Sequence, residues 1–207
     1  MAMDPKWLEW AKQLQAIAQN GLAFATDEYD RQRYGSVRAI AAAMAAAGCG
    51  AAPASIEELF AKEAGYATPK VDVRAAVFRE GRVLLVKERS DGRWTLPGGW
   101  ADVGEGPRQS AEREVWEESG FEVRAVKLAA VYDRNRHVDK PFLFDIWKLF
   151  FLCELVGGTA NPSLETEAVE FFSLKELPPL STGRSTASQI AHMFEHHRTP
   201  ELPTTFD

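Results

Sequence analysis

The chain has 207 residues, a length that fits one large globular domain or two small ones. Hydrophobic residues make up 45% and charged residues 26%, which is an ordinary composition for a folded domain and excludes a disordered or collagen-like chain. The net charge of −6 disfavours sequence-independent binding to a nucleic acid polymer, but a local metal ion or arginine cluster would still allow a small phosphorylated ligand.

Cysteine usage and hydropathy indicate the compartment. Cys49 and Cys153 are the only two cysteines, so we expect neither a disulfide framework nor a paired-cysteine zinc site, and a reducing, cytoplasmic setting is the simplest interpretation. The N-terminal segment lacks the apolar stretch of a signal peptide, and no apolar run approaches the roughly 18 residues of a membrane span. We therefore expect no export and no membrane partner.

Helical periodicity dominates the first 66 residues. Apolar residues from Trp7 to Ile17 recur at three- and four-residue steps, with Asp4 and Pro5 placed to start the helix and Gly21 to end it. A second helix is predicted over residues 27–47 because tyrosines and aliphatic residues form an apolar stripe there.

A turn-rich stretch follows the second helix. The capping-box pair Ser55 and Glu58 then predicts a short third helix. Residues 1–66 therefore form an all-helical unit whose own core is small, and such a unit favours a homodimer.

From residue 67 the pattern becomes extended. Strands are predicted over residues 71–78, 83–87, 123–132, 145–155 and 169–172. A hairpin turn is expected at Glu80 and Gly81, and helices are expected at 107–119 and 185–197. Strands interleaved with few helices indicate an α+β or layered α/β domain.

Three carboxylates share one face of the predicted helix at 107–119. Glu114, Glu117 and Glu118 stand at i, i+3 and i+4, so their side chains are neighbours. Their mutual repulsion is costly unless a cation neutralises it, and the hard cations Mg²⁺ and Mn²⁺ prefer such oxygen ligands.

Residues around this face support a metal site. Arg113 lies on the flank, where it can orient a ligating carboxylate. Gly98 and Gly99 allow a tight loop that would bring a backbone carbonyl close to the ion. Gly120 follows the helix in the position of a left-handed C-cap.

Gly99, Glu105 and Arg113 stand at set spacings, and the segment that begins at Arg113 ends at Gly120 and Phe121. This pattern resembles the Nudix box of the Nudix hydrolase family, with no departure from it. The similarity extends more weakly over residues 68–180, where residues 167–178 resemble a late strand and loop of the family. Residues 7–11 and 66–74 resemble the additional N-terminal domain of one bacterial branch.

This resemblance implies a fold and a domain organisation. The implied fold is an α/β/α sandwich with a mixed sheet, preceded by a small all-α domain. Residues 1–66 would be the helical domain, serving dimerisation or covering the substrate, and residues 67–207 would be the catalytic domain.

The resemblance also implies a metal-dependent attack of water on a diphosphate. Mg²⁺ or Mn²⁺ would be held by Glu114, Glu117, Glu118 and the carbonyl of Gly98. Arg113 would assist these carboxylates, whereas Gly99, Glu105 and Gly120 would serve the architecture of the box. The general base would come from the helix itself or from a loop acid, Glu165 or Glu167.

Residues outside the box are expected to select the substrate. Arg89, Tyr132, Arg134 and Arg136 are the candidates, three of them in the basic and aromatic segment 131–142. Members of the branch act on nucleoside diphosphates linked to another moiety, which makes ADP-ribose the first candidate and CDP-choline the second.

Two other functions stay open. One is a Nudix domain that senses a nucleotide sugar without turnover, although such sensors tend to lose box carboxylates and none is missing here. The other is a house-cleaning or RNA-end hydrolase, which the acidic balance disfavours for long RNA.

Overall fold

The computed structural model describes residues 4–138 and 142–207. The chain forms two compact units, the first ending at Pro69 and also including the segment up to Asp145. The second comprises Lys70–Val138 and Ile146–Asp207. The sequence analysis placed the domain boundary at residue 66 and gave no indication that the segment before Asp145 belongs to the first unit. Phe144 of this segment packs against the core of that unit.

Three helices make up the first unit: α1 (Lys6–Phe24), α2 (Glu28–Cys49) and α3 (Pro53–Ala61). Four buried alanines of α2 supply most of its core, so neighbouring helices can approach closely, and Phe60 of α3 fills the remaining space. Asp27 caps the start of α2 by accepting a hydrogen bond from the backbone N–H of Tyr29 (2.7 Å). None of the helices in the described residues is long and apolar enough to cross a bilayer.

Two helix boundaries differ from the sequence prediction. The helix α1 starts at Lys6, after Pro5, and continues through Gly21 to Phe24. A Cβ on Gly21 would lie 2.3 Å from the ring of Tyr34, so this glycine serves helix packing and does not end the helix. The helix α3 starts at Pro53, two residues before the expected cap Ser55, because proline suits the first helical turn.

A mixed sheet forms the second unit. Its strands are β1 (Lys70–Arg79), β2 (Arg82–Glu88), β3 (Trp94–Thr95), β4 (Phe121–Asp133), β5 (Ile146–Gly158), β6 (Thr166–Phe172) and β7 (Thr205–Phe206). The order is β3-β2-β1-β5-β4-β7, with β6 paired to β2. The β1–β5 and β4–β7 pairs are parallel and the others antiparallel. Glu80 and Gly81 form the predicted hairpin turn, both at positive φ.

Helices cover both faces of this sheet. They are α4 (Pro107–Ser119) and α6 (Ala187–Arg198), and a short helix, α5 (Arg134–His137), follows β4. Ala111 and Val115 of α4 are buried in one core, and Ile190 and Met193 of α6 in the other. Because β1 is covered on both faces, its central residues form a continuous buried run. The predicted α/β/α sandwich is therefore confirmed.

The histidines of α6 have different environments. His196 is fully buried, with its Nε2 atom 3.1 Å from Nε2 of His192. His197 stacks on Phe78 at a centroid distance of 4.0 Å. Burial lowers the pKa of both His196 and His197, which favours their neutral forms.

The two thiols have different environments. Cys153 lies in β5 within the core against α4, where burial raises the pKa of its thiol to about 12. Cys49 is exposed at the end of α2, and neither cysteine is in a disulfide.

Candidate active site

Both ends of the helix α4, which carries the three carboxylates, are defined by the local sequence. Pro107 occupies its first turn, and Gly120 ends it in the left-handed conformation (φ 74°), as the sequence predicted. A Cβ on Gly120 would also lie 2.6 Å from the carbonyl oxygen of Thr159. Both constraints favour glycine, so the end of α4 is fixed next to Glu118.

The loop after β3 brings backbone atoms to these carboxylates. The backbone N–H of Gly98 donates a 2.8 Å hydrogen bond to Oε2 of Glu118. On either side, the carbonyls of Pro97 and Gly99 accept hydrogen bonds from β1 (2.9 and 2.8 Å). These two bonds hold the loop against β1 on both sides of Gly98.

Gly99 is in close contact with a second carboxylate. A Cβ at this position would lie 2.9 Å from Oε2 of Glu114, so a larger residue would displace that carboxylate. The Gly98-Gly99 pair therefore allows Glu114 and Glu118 to lie against the backbone of the loop.

Arg113 connects the remaining acids of the box. Its Nε atom donates to both carboxylate oxygens of Glu105 (3.1 and 3.0 Å), and these bonds lower the pKa of Glu105. Its Nη1 atom donates to Glu114 (3.0 Å) and Glu117 (2.8 Å). Glu105 also accepts a hydrogen bond from Ser110 (3.0 Å). Glu105 thus holds Arg113, and Arg113 orients two of the three helix carboxylates.

Burial alters the electrostatics of the carboxylates. Glu118 is 5% exposed, and burial raises its pKa to about 8 even though Arg74 and the Gly98 N–H favour the charged form. Burial also raises the pKa of Glu114. A cation at this face would offset the cost of ionising both groups.

The donor set fits a hard divalent cation. Three carboxylates and a carbonyl are oxygen ligands of the kind that Mg²⁺ and Mn²⁺ prefer. Among the described residues, no three acidic, histidine or cysteine side chains already converge on a common metal position. Glu114 and Glu117 are instead turned to Arg113, so their oxygens would have to reorient around an ion.

A buried charged layer next to this face was missed by sequence reasoning. Asp72 and Arg74 of β1 form a bidentate ion pair (2.8 and 2.7 Å), and Arg74 also donates to the carbonyl of Leu96. Glu88 of β2 pairs with Arg184 at 3.0 Å. Burial raises the pKa of Glu88, whereas Arg184 and Arg74 act in the opposite direction.

Lys148 of β5 belongs to the same layer. It is among the largest fully buried side chains, and its Nζ atom donates to the carbonyls of Gly183 (3.2 Å) and Arg184. Burial lowers its pKa to about 7, and the neighbouring charges are Asp72 and three arginines, Arg74, Arg134 and Arg184.

The lowered pKa of Lys148 predicts a pH dependence of folding. Between pH 7 and 10.5 the unfolded chain binds the lysine proton more tightly than the folded chain, so the free energy of unfolding rises with pH across this window. We expect wild type to gain stability relative to Lys148→Met as the pH is raised, measured by urea unfolding at several pH values. A difference independent of pH would contradict the burial of a titrating amine.

The predicted substrate residues have different positions. Tyr132 is 7% exposed and packs edge-on to Phe150, so it lies in the core and offers no surface for stacking on a base. Arg134 is also buried, whereas Arg136 is exposed and lies 3.6 Å from Asp133. Residues 139–141 of the predicted binding segment lie outside the described residues.

Arg89 and the two candidate bases lie around the loop 163–166. Arg89 donates to the carbonyl of Ser163 (3.4 and 3.3 Å), and the Thr166 hydroxyl donates to the carbonyl of Glu118 (2.7 Å). The carboxylate of Glu165 is close enough to influence the pKa of Glu88. Glu167 instead pairs with Lys87 at 2.5 Å, which lowers its pKa.

Family models cover almost the whole chain. Residues 68–194 match the NUDIX domain, and residues 5–60 match the UDP-X-like, N-terminal oligomerisation domain. The chain therefore belongs to the Nudix hydrolases, a family that generally uses divalent metal ions.

Individual relatives agree with this class. A Bacillus subtilis (strain 168) protein named "Putative ADP-ribose pyrophosphatase YjhB" is 42% identical over 99% of both chains. The crystal structure of an ADP-ribose pyrophosphatase from Streptococcus suis 89-1591 is 44% identical, with a TM-score of 0.63, over 68% of this chain and all of the other. The crystal structure of a UDP-X diphosphatase is 29% identical over 98% of both chains, with a TM-score of 0.64.

Proposed function

We propose that this chain is a metal-dependent pyrophosphohydrolase that cleaves the diphosphate of a nucleoside diphosphate linked to a second moiety, with ADP-ribose as the first candidate. The products are a nucleoside monophosphate and the phosphorylated second moiety. The observation that carries this proposal is the position of the Glu114 and Glu118 carboxylates, on one face of α4 and against the Gly98-Gly99 backbone. Relatives named as ADP-ribose pyrophosphatases support it.

The proposed roles follow from the contacts. Glu114, Glu117, Glu118 and the Gly98 carbonyl would hold Mg²⁺ or Mn²⁺, which would neutralise the charge of the diphosphate and lower the pKa of the attacking water. Arg113 orients Glu114 and Glu117 through its hydrogen bonds.

Glu165 and Glu167, at the start of β6, are the two candidates for the general base outside α4. A proton acceptor becomes weaker as its pKa falls, and the ion pair with Lys87 lowers the pKa of Glu167. Glu165 has no ion pair with a basic side chain of the described residues and lies close enough to Glu88 to influence its pKa, so we favour Glu165 over Glu167 as the base. Single substitutions of each residue by Gln compare the two directly.

A substrate panel tests the proposed activity. Formation of the nucleoside monophosphate would be measured by chromatography from ADP-ribose, CDP-choline, UDP-linked sugars, dinucleoside polyphosphates and dNTPs, with Mg²⁺ or Mn²⁺ and with a chelator as control. We expect metal-dependent turnover of a linked diphosphate and none of dNTPs. CDP-choline remains the second candidate, and UDP-linked compounds are included because a similar structure is named as a UDP-X diphosphatase.

A sensor without turnover is the alternative from another class. Tight binding across the panel without product would favour it and would overturn the enzymatic proposal. The complete set of carboxylates on α4 argues for turnover.

The first unit carries the proposed homodimer contact. Trp10, Ile17 and Phe24 of α1 are 54%, 54% and 69% exposed, and their seven-residue spacing aligns them along one side of the helix. The match to an oligomerisation domain supports a contact between copies here.

A charge on this stripe is expected to separate the copies. Wild type should have the mass of a dimer by light scattering, and Ile17→Glu should shift it to a monomer because burying an unpaired carboxylate is costly. Val156→Glu, which alters a similarly exposed aliphatic residue in the second unit, is the matched control and should remain dimeric. A monomeric wild type would remove the proposal.

The compartment is proposed from the thiols. Cys49 and Cys153 are both free, as is usual for proteins of a reducing compartment, and we assign the chain to the cytoplasm.

A further inference from the structure

The loop 181–185 is tied to the charged layer of the active site. Its Arg184 pairs with Glu88 at 3.0 Å, and Glu88 interacts electrostatically with both Arg74 and Glu118. Its first residue, Ser181, donates its backbone N–H to the carbonyl of Trp94 (2.8 Å). The loop therefore lies within electrostatic reach of the carboxylates on α4.

Lys148 holds the backbone of this loop. Among the described residues, its hydrogen-bond partners are the carbonyls of Gly183 and Arg184. In the described part of the chain it has no carboxylate within ion-pair distance, and Asp72, the acid that acts on its pKa, has both oxygens engaged by Arg74. Burying an amine without a counter-ion is costly, so we take its two hydrogen bonds to this loop as the reason for its position.

Beside the loop there is open space next to another cation. A Cβ built on Gly183 would meet a single heavy atom of the described residues within 4 Å, Nη2 of Arg134, at 3.9 Å. Gly183 is half-buried, so this space lies at the surface of the loop and is bordered by a guanidinium group. Guanidinium groups and ammonium groups are the side chains that bind phosphate.

We propose that the loop 181–185 binds a phosphate group of the substrate diphosphate and that Lys148 is the positioning residue that fixes the backbone of this loop. The identity of the ligand rests on the proposed function. A bound phosphate would add negative charge near Lys148, which has no carboxylate within ion-pair distance among the described residues, and Arg134 borders the space where that phosphate would lie. The cost of burying the ammonium is then offset in the complex.

The test compares two lysines that make the same type of contact. Lys127 also donates to two backbone carbonyls, those of Pro200 and Leu202 (2.8 and 2.6 Å), in the C-terminal segment. We expect Lys148→Met to raise KM for the linked diphosphate by about tenfold with kcat changed much less, as for lost substrate binding. Lys127→Met should leave both constants unchanged. Equal KM values for wild type and Lys148→Met would overturn the proposal.

A metal-free binding measurement separates this proposal from the proposed activity. Wild type should bind AMP more tightly than adenosine by calorimetry in a chelator, and Lys148→Met should lose this preference while Lys127→Met keeps it. If wild type turns over no linked diphosphate, the proposed activity fails but the AMP preference still decides the role of the loop. A preference retained in Lys148→Met would contradict that role.

A second variant guards against loss of folding. Gly183→Leu fills the open space beside Arg134 without changing Lys148, so we expect it to raise KM and weaken AMP binding with an unchanged melting temperature. Unchanged KM and AMP affinity in this variant would also overturn the proposal.

Discussion

The Glu118→Gln variant is expected to lose at least about a hundredfold in turnover while its fold is preserved. Glutamine keeps an oxygen that can accept the hydrogen bond from the Gly98 N–H, and it has nearly the same volume as glutamate. It removes the negative charge that a divalent cation needs. Steady-state turnover of the best substrate, at saturating Mg²⁺, together with the melting temperature, measures both parts of this prediction.

Glu112→Gln is the matched control for this variant. Glu112 lies on the same helix, but its carboxylate accepts hydrogen bonds from Arg108 and from the backbone N–H of Ala125, both outside the proposed metal site. We expect turnover close to that of wild type. Wild-type turnover in Glu118→Gln would show that this carboxylate is not a metal ligand.

Gly98→Ala is expected to reduce the free energy of unfolding by about 3 kcal/mol or more. The added Cβ would lie 2.0 Å from the carbonyl oxygen of Val73, and the backbone of Gly98 has a φ of 141° that disfavours other residues. To relieve this clash the loop must move away from β1. This movement breaks the hydrogen bonds that Val73 and Ala75 donate to the loop. Urea unfolding measures the loss.

The Gly104→Ala variant measures the loss of stability that backbone strain causes without a steric clash. Gly104 lies in the same connection between β3 and α4 and also has a positive φ, 95°, but a Cβ there would meet no heavy atom within 4 Å among the described residues. Its loss of stability should be clearly smaller, at roughly 1 kcal/mol. Equal losses in the two variants would show that contact with β1 is not what requires glycine at position 98.

Local signals were sufficient to predict the helix that carries the carboxylates. Its first-turn proline and its C-terminal glycine act within the chain around them, so residues 107–119 were predicted with correct bounds. The same holds for the hairpin turn at Glu80 and Gly81. Glu105 lies two residues before α4, and Arg113 lies on that helix. The two residues are therefore close in sequence, and their contact is local.

Contacts between distant segments explain what the sequence did not reveal. Asp72 and Arg74 alternate with apolar residues, a pattern typical of a solvated strand face, yet both are buried because the loop containing Leu96 covers them. Lys148 donates to the carbonyls of residues that follow it by 35 and 36 positions in the sequence. Tyr132 resembles a binding aromatic in its basic surroundings, but packing of α6 against the sheet places it in the core.

Because the two thiols differ in exposure, Cys49 can be labelled selectively. A maleimide reacts with the thiolate, so the buried, high-pKa thiol of Cys153 should stay unmodified while the exposed Cys49 is labelled. A fluorophore at the end of α2 would then report on the helical unit without any engineered substitution. Energy transfer between donor- and acceptor-labelled copies could follow subunit exchange while the hydrolytic unit remains chemically unaltered.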